Sequence, residues 1–419
     1  MNQANTAFVL VAASLVMLMT PGLAFFYGGL VGRSNTLSIM IQSFASMGIT
    51  TAMWWLVGYS LCFSGGAGGV YGNFHNALLL NISIDSLYSP THIPVLVLVA
   101  YQMMFAIITP ALITGAFTNR VTFKAYLIFL VLWQVCVYYP FVHMLWGGGL
   151  LEQWGARDFA GGIVVHASAG FAALASVLYV GKRRFADEPH NLPLIALGTG
   201  LLWFGWYGFN AGSELAVNQI TAVAFLNTDI AASFAATTWL LLEWWRAKKP
   251  HFLGLLTGAV AGLATITPAA GYVPIWASVV IGITSGVVCY GAIQLKNRVR
   301  LDDALDVWGV HGVGGLVGIV LLGVFASRAI NASGGVGLVH GSFSFFGKEV
   351  VAGVATSAYA FGFTLVMLKV IGLITPVRVD EATERSPDKM MHGEVAYSFG
   401  ESSISSNVVE QIATVEEAN

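Results

Sequence analysis

Residues 92–117 read HIPVLVLVAYQMMFAIITPALITGAF, and this stretch decides what kind of protein the chain can be. It contains no Asp, Glu, Lys or Arg, and it is longer than the roughly 20 apolar residues that carry a helix across a bilayer. Similar stretches recur along the chain. We predict eleven membrane spans, at about 6–30, 36–63, 92–117, 121–146, 160–180, 192–210, 219–244, 252–268, 273–296, 304–326 and 347–374.

The composition agrees with a membrane protein. Of the 419 residues, 56% are hydrophobic and only 10% are charged, whereas ordinary soluble domains are about 25% charged. Lipid must therefore cover much of the surface. The net charge is −2 without a long basic run, so we expect no nucleic-acid partner. No Lys or Arg precedes the first apolar stretch, so we expect a retained helix and not a cleaved signal. We predict an all-α, multi-pass protein of the cell (inner) membrane.

Basic residues are distributed unevenly between the predicted loops, which predicts the orientation. One set of loops carries Arg33, Arg120, Lys124, Lys182, Arg183, Arg184, Arg246, Lys248, Lys249, Lys296, Arg298 and Arg300. The opposite loops carry only Arg157, Arg328 and Lys348. Because basic loops stay in the cytoplasm, we predict an N-terminus outside and a C-terminus inside the cell.

The chain changes character after residue 374, where it becomes polar and acidic. We therefore divide it into a membrane domain, 1–374, and a cytoplasmic tail, 375–419. Residues 375–397 are expected to be ordered, and the Ser- and Glu-rich residues 398–419 to be disordered.

Short motifs recur five spans apart, which predicts an internal repeat. The tetrapeptide ITPA occurs at residues 108–111 of the third span and at 266–269 of the eighth. A histidine followed four residues later by glycine occurs at His166 in the fifth span and at His311 in the tenth. A unit of five spans must insert its second copy upside down. We predict a five-plus-five inverted repeat with one additional helix.

His166 and His311 are the strongest candidates for function, because ionisable groups inside spans are costly. A neutral imidazole offers one donor and one acceptor, so two in contact could line a path for a small neutral molecule or relay a proton. One alternative is that the two histidines only form hydrogen bonds to backbone carbonyls inside the bundle. Another is that they are two metal ligands of an intramembrane metalloenzyme, but the spans offer no well-placed third and fourth ligand. We expect no metal, no cofactor and no enzymatic activity.

Aromatic residues supply a second signal near the outer face. Trp146 ends the fourth span and Phe105 lies inside the third, so their rings could hold a small cation by their π faces. Ser213, at the outer end of the sixth span, could accept a hydrogen bond from that cation. The alternative is an interfacial aromatic belt, which is common in membrane proteins.

Carboxylates occur at the predicted starts of the fifth and tenth spans. Asp158 can cap free backbone amides of its helix, and its charge would also favour a nearby cation. We expect Asp306 to act similarly at the tenth span. Asp302 and Asp303 are expected to face water.

Five motifs together carry a resemblance. They are PG at 21–22 with FYGG at 26–29, HMLWGGG at 143–149, DFAGG at 158–162 leading to His166, GWYGFNAGS at 205–213, and DVWGVHG at 306–312. With these motifs the chain resembles the ammonium transporter family from about residue 6 to 397. Trp146 favours the ammonium transporter/methylammonium permease branch over the Rhesus branch.

The resemblance implies a homotrimer of eleven-span subunits, each conducting ammonium or ammonia, with or without a relayed proton, through a hydrophobic pore. Methylammonium is the expected analogue. The implied sites are recruitment by Phe105, Trp146, Ser213 and Asp158, with deprotonation supported by Asp158, a gate of Phe105 and Phe209, and the pore histidines His166 and His311. An ammonium sensor of the same fold, signalling through the tail, is the alternative.

The resemblance also implies a PII-type signal protein as a possible partner at the cytoplasmic face. Two features depart from the family pattern. Tyr207 stands where Phe is more usual, and residues 385–388, RSPD, differ from the usual Glu-Gly-Leu-Asp. The second departure lies in the part of the tail through which docking is expected.

Overall fold

The computed structural model describes residues 1–66, 68–185 and 188–397, so the prediction for 398–419 lies outside the described residues. Each predicted span corresponds to a helical segment. These are α1 (Gln3–Leu30), α2 (36–63), α3 (Val95–Phe117), α4 (123–146), α5 (Gly162–Val180), α6 (Leu192–Ala211), α7 (Gln219–Ala247), α8 (Phe252–Ile266), α9 (Ile275–Arg298), α10 (Trp308–Phe325) and α11 (Phe343–Ile374).

Helix length and hydropathy support the membrane assignment. Across the described part of the chain, nine helices are long and apolar enough to cross a bilayer. Of the other two, α8 is apolar but shorter, and α2 contains a π turn at Trp54–Gly58. Large apolar side chains such as Phe204 (56% exposed) and Leu373 (88%) point outwards, which is unfavourable in water and favourable in lipid. The fold is therefore an all-α multi-pass membrane protein, and its orientation stays a prediction.

The connections contain short elements that hydropathy does not predict. Between α2 and α3, strand β1 (Leu87–Tyr88) pairs antiparallel with β2 (Ile93–Pro94). A short helix, Leu150–Trp154, follows α4, and the tail contains a short helix, Glu381–Arg385, and a π turn, Asp388–His392.

The two histidine-bearing helices have matching geometry. Both α5 and α10 begin with a π turn, at Gly162–Ala167 and Trp308–Val313, a feature that is common at functional sites. The helices also cross closely. A Cβ at Gly170 would lie 2.0 Å from the nitrogen of Gly312, and one at Gly315 would lie 2.8 Å from the nitrogen of Ala167. Only glycine permits this approach, which brings the two π turns together.

The tail docks on the loops at one end of the bundle, in spite of its unusual RSPD sequence. Glu384 is buried and pairs with Arg184 at 2.9 Å and with Arg378 at 3.2 Å. The Asp388 carboxylate accepts the backbone N–H groups of Leu37 at 3.0 Å and Ser38 at 2.7 Å. Asp388 thus caps α2. The RSPD sequence differs from the family pattern but keeps this aspartate.

The expectation that Asp302 and Asp303 face water is wrong. Asp303 is 1% exposed, and its carboxylate accepts the backbone N–H of Trp308 at 2.7 Å, so it caps α10 in place of Asp306. Asp306 instead binds Lys296. Asp302 pairs with Arg183 at 2.8 Å and lies 3.6 Å from the guanidinium of the fully buried Arg120. Burial raises the pKa of Asp303 to about 6.

Candidate functional site

Five aromatic rings form one row from the end of α4 that is predicted to face outwards to the centre of the bundle. The ring centroids of Trp146 and Phe105 are 6.0 Å apart in an edge arrangement, and those of Phe105 and Phe209 are 4.2 Å apart. Phe209 is followed by His166 at 6.0 Å, and His166 by His311 at 5.3 Å with 18° between the ring planes. The row joins the predicted outer site to the predicted histidine pair.

The two histidines are in direct contact. The Nδ1 atoms of His166 and His311 are 3.3 Å apart, and the residues are 1% and 4% exposed. A hydrogen bond between them needs one protonated and one unprotonated Nδ1. The contact is therefore compatible with two neutral rings.

The surrounding hydrogen bonds indicate which nitrogen carries the proton. The hydroxyl of Thr267 donates to the carbonyl of Leu263 at 2.8 Å and accepts from Trp206 Nε1 at 2.9 Å. With the hydroxyl hydrogen directed at Leu263, the Thr267 oxygen, 3.3 Å from His166 Nε2, accepts from that nitrogen. Neutral His166 then carries its proton on Nε2 and accepts at Nδ1, and His311 donates from Nδ1 and keeps a lone pair on Nε2.

Three spaces follow one another along the row of rings. A cavity of about 280 Å³, which we name the outer cavity from the predicted orientation, is bordered by Trp146 and Ser213. A lumen of about 10 Å³, bordered by Phe209, His166 and His311, has room for one water-sized molecule. An inner cavity of about 130 Å³ also reaches His311. The buried pair of Phe105 and Phe209 lies between the outer cavity and the lumen.

The outer cavity presents an oxygen acceptor beside aromatic faces. The Ser213 hydroxyl donates to the carbonyl of Phe209 at 2.8 Å, and its oxygen lies 3.2 Å from the hydroxyl of Tyr101. Tyr101 can donate to the carbonyls of Gly208 and Phe209. Because the Ser213 hydrogen is engaged, its oxygen is available as an acceptor.

Asp158 caps α5, and both of its carboxylate oxygens are fully occupied as hydrogen-bond acceptors. One oxygen accepts the N–H groups of Gly161 at 2.8 Å and Gly162 at 2.7 Å. The other accepts from Ile163 at 2.7 Å and Val164 at 3.1 Å. Burial raises the pKa of the Asp158 carboxyl, and these four bonds oppose that effect. With both oxygens occupied, the carboxylate is not free to serve as a direct ligand, and it can influence the outer cavity only through its charge.

Asp158 also positions Trp146, because its carbonyl accepts the indole N–H at 2.8 Å. Sequence reasoning missed two further acids, Glu152 and Glu214, which border the same outer cavity. Glu214 directly follows the predicted site residue Ser213 in the chain, and this adjacency could have identified it as part of the site. Sequence reasoning also missed the role of Thr267, although that residue lies in the repeated ITPA motif.

Within residues 1–66, 68–185 and 188–397, no group of three or more His, Cys, Asp or Glu side chains is placed to hold a metal ion. The histidine pair thus stands without further metal-ligating neighbours. Helices that enclose a narrow lumen between two cavities define a polytopic membrane protein with the architecture of a channel or transporter.

Residues 7–397 match the sequence model of the Ammonium Transporter Family, and the chain belongs to that family. It is 45% identical to the ammonium transporter of Bacillus subtilis over 402 residues, which covers 95% of this chain and 99% of that protein. It is 41% identical to ammonium transporter Amt1 of Archaeoglobus fulgidus, with 95% and 100% covered.

Solved structures have the same fold. The crystal structure of Candida albicans Mep2 aligns with a TM-score of 0.84 at 35% identity, covering 91% of this chain and 87% of that one. A structure described as a sensor Amt protein aligns with a TM-score of 0.84 at 26% identity, covering 91% and 96%.

Proposed function

We propose that this protein is an ammonium transporter that recruits ammonium in the outer cavity, removes its proton and conducts ammonia through the lumen. One observation carries the proposal. The His166–His311 contact borders a lumen with room for one small molecule, behind the closely packed rings of Phe105 and Phe209. The similarity to proteins named ammonium transporter supports the same substrate.

Recruitment uses aromatic faces and negative charge. The Trp146 ring supplies a cation–π attraction of about 0.5–2 kcal/mol, depending on how far the cation is dehydrated. The Phe105 ring packs against it in an edge-to-face arrangement, and Ser213 offers an oxygen for an ammonium N–H. Asp158 and Glu214 add charge of the favourable sign at the same cavity.

Deprotonation precedes passage, because a bare cation in an apolar lumen is costly. The proton passes to water in the outer cavity, because the Asp158 oxygens are occupied by backbone N–H groups and the Asp158 charge favours the cation over neutral ammonia. Phe105 and Phe209 act as the gate that ammonia must displace. Beyond them, the free Nε2 lone pair of His311 accepts an N–H of ammonia.

Currents recorded from proteoliposomes test the proposal. An ammonium pulse should produce a saturable signal, and methylammonium should compete with it. Repeating the pulse with an imposed proton gradient separates the two modes of transport. A current that responds to the gradient indicates a relayed proton, whereas ammonia flux without current indicates neutral conduction. Liposomes that behave like protein-free vesicles in both measurements would refute the proposal.

A sensor without transport is the second candidate, and the similarity to the sensor Amt protein favours it. Both functions use the same outer cavity, so binding alone does not separate them. Saturable ammonium binding in proteoliposomes that carry no flux would favour the sensor.

Assembly and partners form the finer part of the proposal. The protein is a homotrimer in the cell (inner) membrane and acts without enzymatic chemistry. Native mass spectrometry of the detergent-solubilised protein tests the trimer. The docked tail, with Glu384 and Asp388 buried, gives a PII-type signal protein a structured face to bind. Deletion of residues 378–419 should lower or deregulate transport and leave the trimer assembled.

A further inference from the structure

A buried acid on α11 touches the backbone beside the outer cavity. Glu349 is 0% exposed, and its Oε1 accepts the backbone N–H of Arg157 at 2.6 Å. Its Oε2 has no hydrogen-bond partner among the described residues. A buried carboxyl with a single partner is unfavourable. The bond to Arg157 is the one hydrogen bond that this carboxyl makes among the described residues.

The bonded amide belongs to a segment that is fixed at three successive residues. The N–H of Arg157 is held by Glu349, the carbonyl of Asp158 by the Trp146 indole at 2.8 Å, and the N–H of Phe159 by the carbonyl of Pro268 at 3.1 Å. Of these three bonds, only the one from Glu349 reaches the segment from α11. The same segment carries the carboxylate that caps α5.

We propose that Glu349 is a positioning residue for cation recruitment, an inference that rests on the proposed function. Glu349 fixes the peptide preceding Asp158. The position of this peptide determines where the Asp158 carboxylate lies. Through the carbonyl of Asp158, it also determines the orientation of the Trp146 ring. Glu349 acts as a hydrogen-bond acceptor and not through its charge, because the bond needs only one side-chain oxygen.

If Glu349 acts as a hydrogen-bond acceptor, three substitutions at this position should differ in their effect on uptake. Glu349→Gln retains an oxygen for Arg157 N–H and should transport like the natural protein. Glu349→Met has similar volume but no acceptor, and Glu349→Ala tests the same loss should methionine not be accommodated. Losing the acceptor should raise the KM for methylammonium about tenfold, with Vmax changed less than about twofold.

Thr356→Val is the matched control. Thr356 is also buried on α11, and its hydroxyl has no hydrogen-bond partner among the described residues, so it does not hold residues 156–159 in place. This variant should keep the natural KM. Uptake is measured in proteoliposomes of full-length protein, with the amount of inserted protein determined for each variant.

The outcomes separate this inference from the proposed function. A raised KM in Glu349→Met or Glu349→Ala, with natural values in Glu349→Gln and Thr356→Val, supports the positioning role. An unchanged KM in both variants that lack the acceptor overturns it. Equal impairment of Glu349→Gln and Glu349→Met also overturns it, because the charge would then matter. Natural protein that takes up no methylammonium refutes the proposed function instead.

Discussion

The substitution Asp158→Asn tests whether the charge of the capping carboxylate holds the outer site together. In the natural protein each carboxylate oxygen accepts two backbone N–H groups. Asparagine keeps one oxygen and presents an NH₂ group to the other two N–H groups, which are themselves donors.

The magnitude follows from that count. A hydrogen bond to a charged group contributes about 1.5–3 kcal/mol, so losing two costs about 3–6 kcal/mol. That loss falls at the start of α5, directly before the π turn that carries His166. We expect Asp158→Asn to lower the thermal midpoint of the detergent-purified protein by several degrees and to abolish methylammonium uptake.

Asp85→Asn is the control, because Asp85 is an exposed acid in the connection between α2 and α3. It should leave the midpoint and the uptake unchanged. Asp158→Asn protein with the natural midpoint and natural uptake would refute the capping argument. A natural midpoint with lost uptake would show that the charge acts on the cation and that the cap tolerates an amide.

Three further predictions concern the lumen, the outer cavity and the loop before α10. Replacing both His166 and His311 with leucine should remove methylammonium uptake or its selectivity, and natural uptake by the double variant would contradict the lumen's role. Trp146→Leu should raise the KM about 2- to 30-fold, from the cation–π range, with Vmax retained; an unchanged KM at normal membrane abundance would favour an aromatic belt. Because burial raises the pKa of Asp303 to about 6, the folded protein holds a proton that the unfolded chain loses above about pH 4. Stability should therefore fall by up to about 3 kcal/mol between about pH 4 and pH 7. Asp303→Asn should remove this part of the pH dependence of the thermal midpoint, and an identical slope in both proteins would contradict the burial argument.

The helices were predictable because each span must satisfy its backbone internally and face lipid, which leaves long apolar runs in the sequence. Their interruptions were not predictable from hydropathy. The π turns that carry His166 and His311 arise where α5 and α10 meet at Gly170 and Gly315. That contact joins residues far apart in the chain, so no local pattern records it.

The carboxylates near α10 show how local reasoning fails at a helix start. Asp302, Asp303 and Asp306 are equally polar in the sequence, and the spacing favoured Asp306 as the cap. Asp306 has φ +59°, a left-handed conformation that Asp tolerates better than most residues. In the structure Asp306 binds Lys296, and Asp303 caps α10. Which aspartate caps α10 therefore depends on the backbone conformation of Asp306 and on its contact with Lys296.

The symmetry of the repeat does not extend to the chemistry of its two histidines. When the Thr267 hydroxyl donates to Leu263 and accepts from Trp206, His166 donates from Nε2 and accepts from His311 at Nδ1. A proton coming from the outer cavity therefore meets a His166 with no free lone pair. His311 alone has a free nitrogen, and it borders the inner cavity. In this arrangement ammonia finds its acceptor at His311. A relayed proton can enter the pair there directly, whereas entry at His166 requires the bond to Thr267 or to His311 to break first.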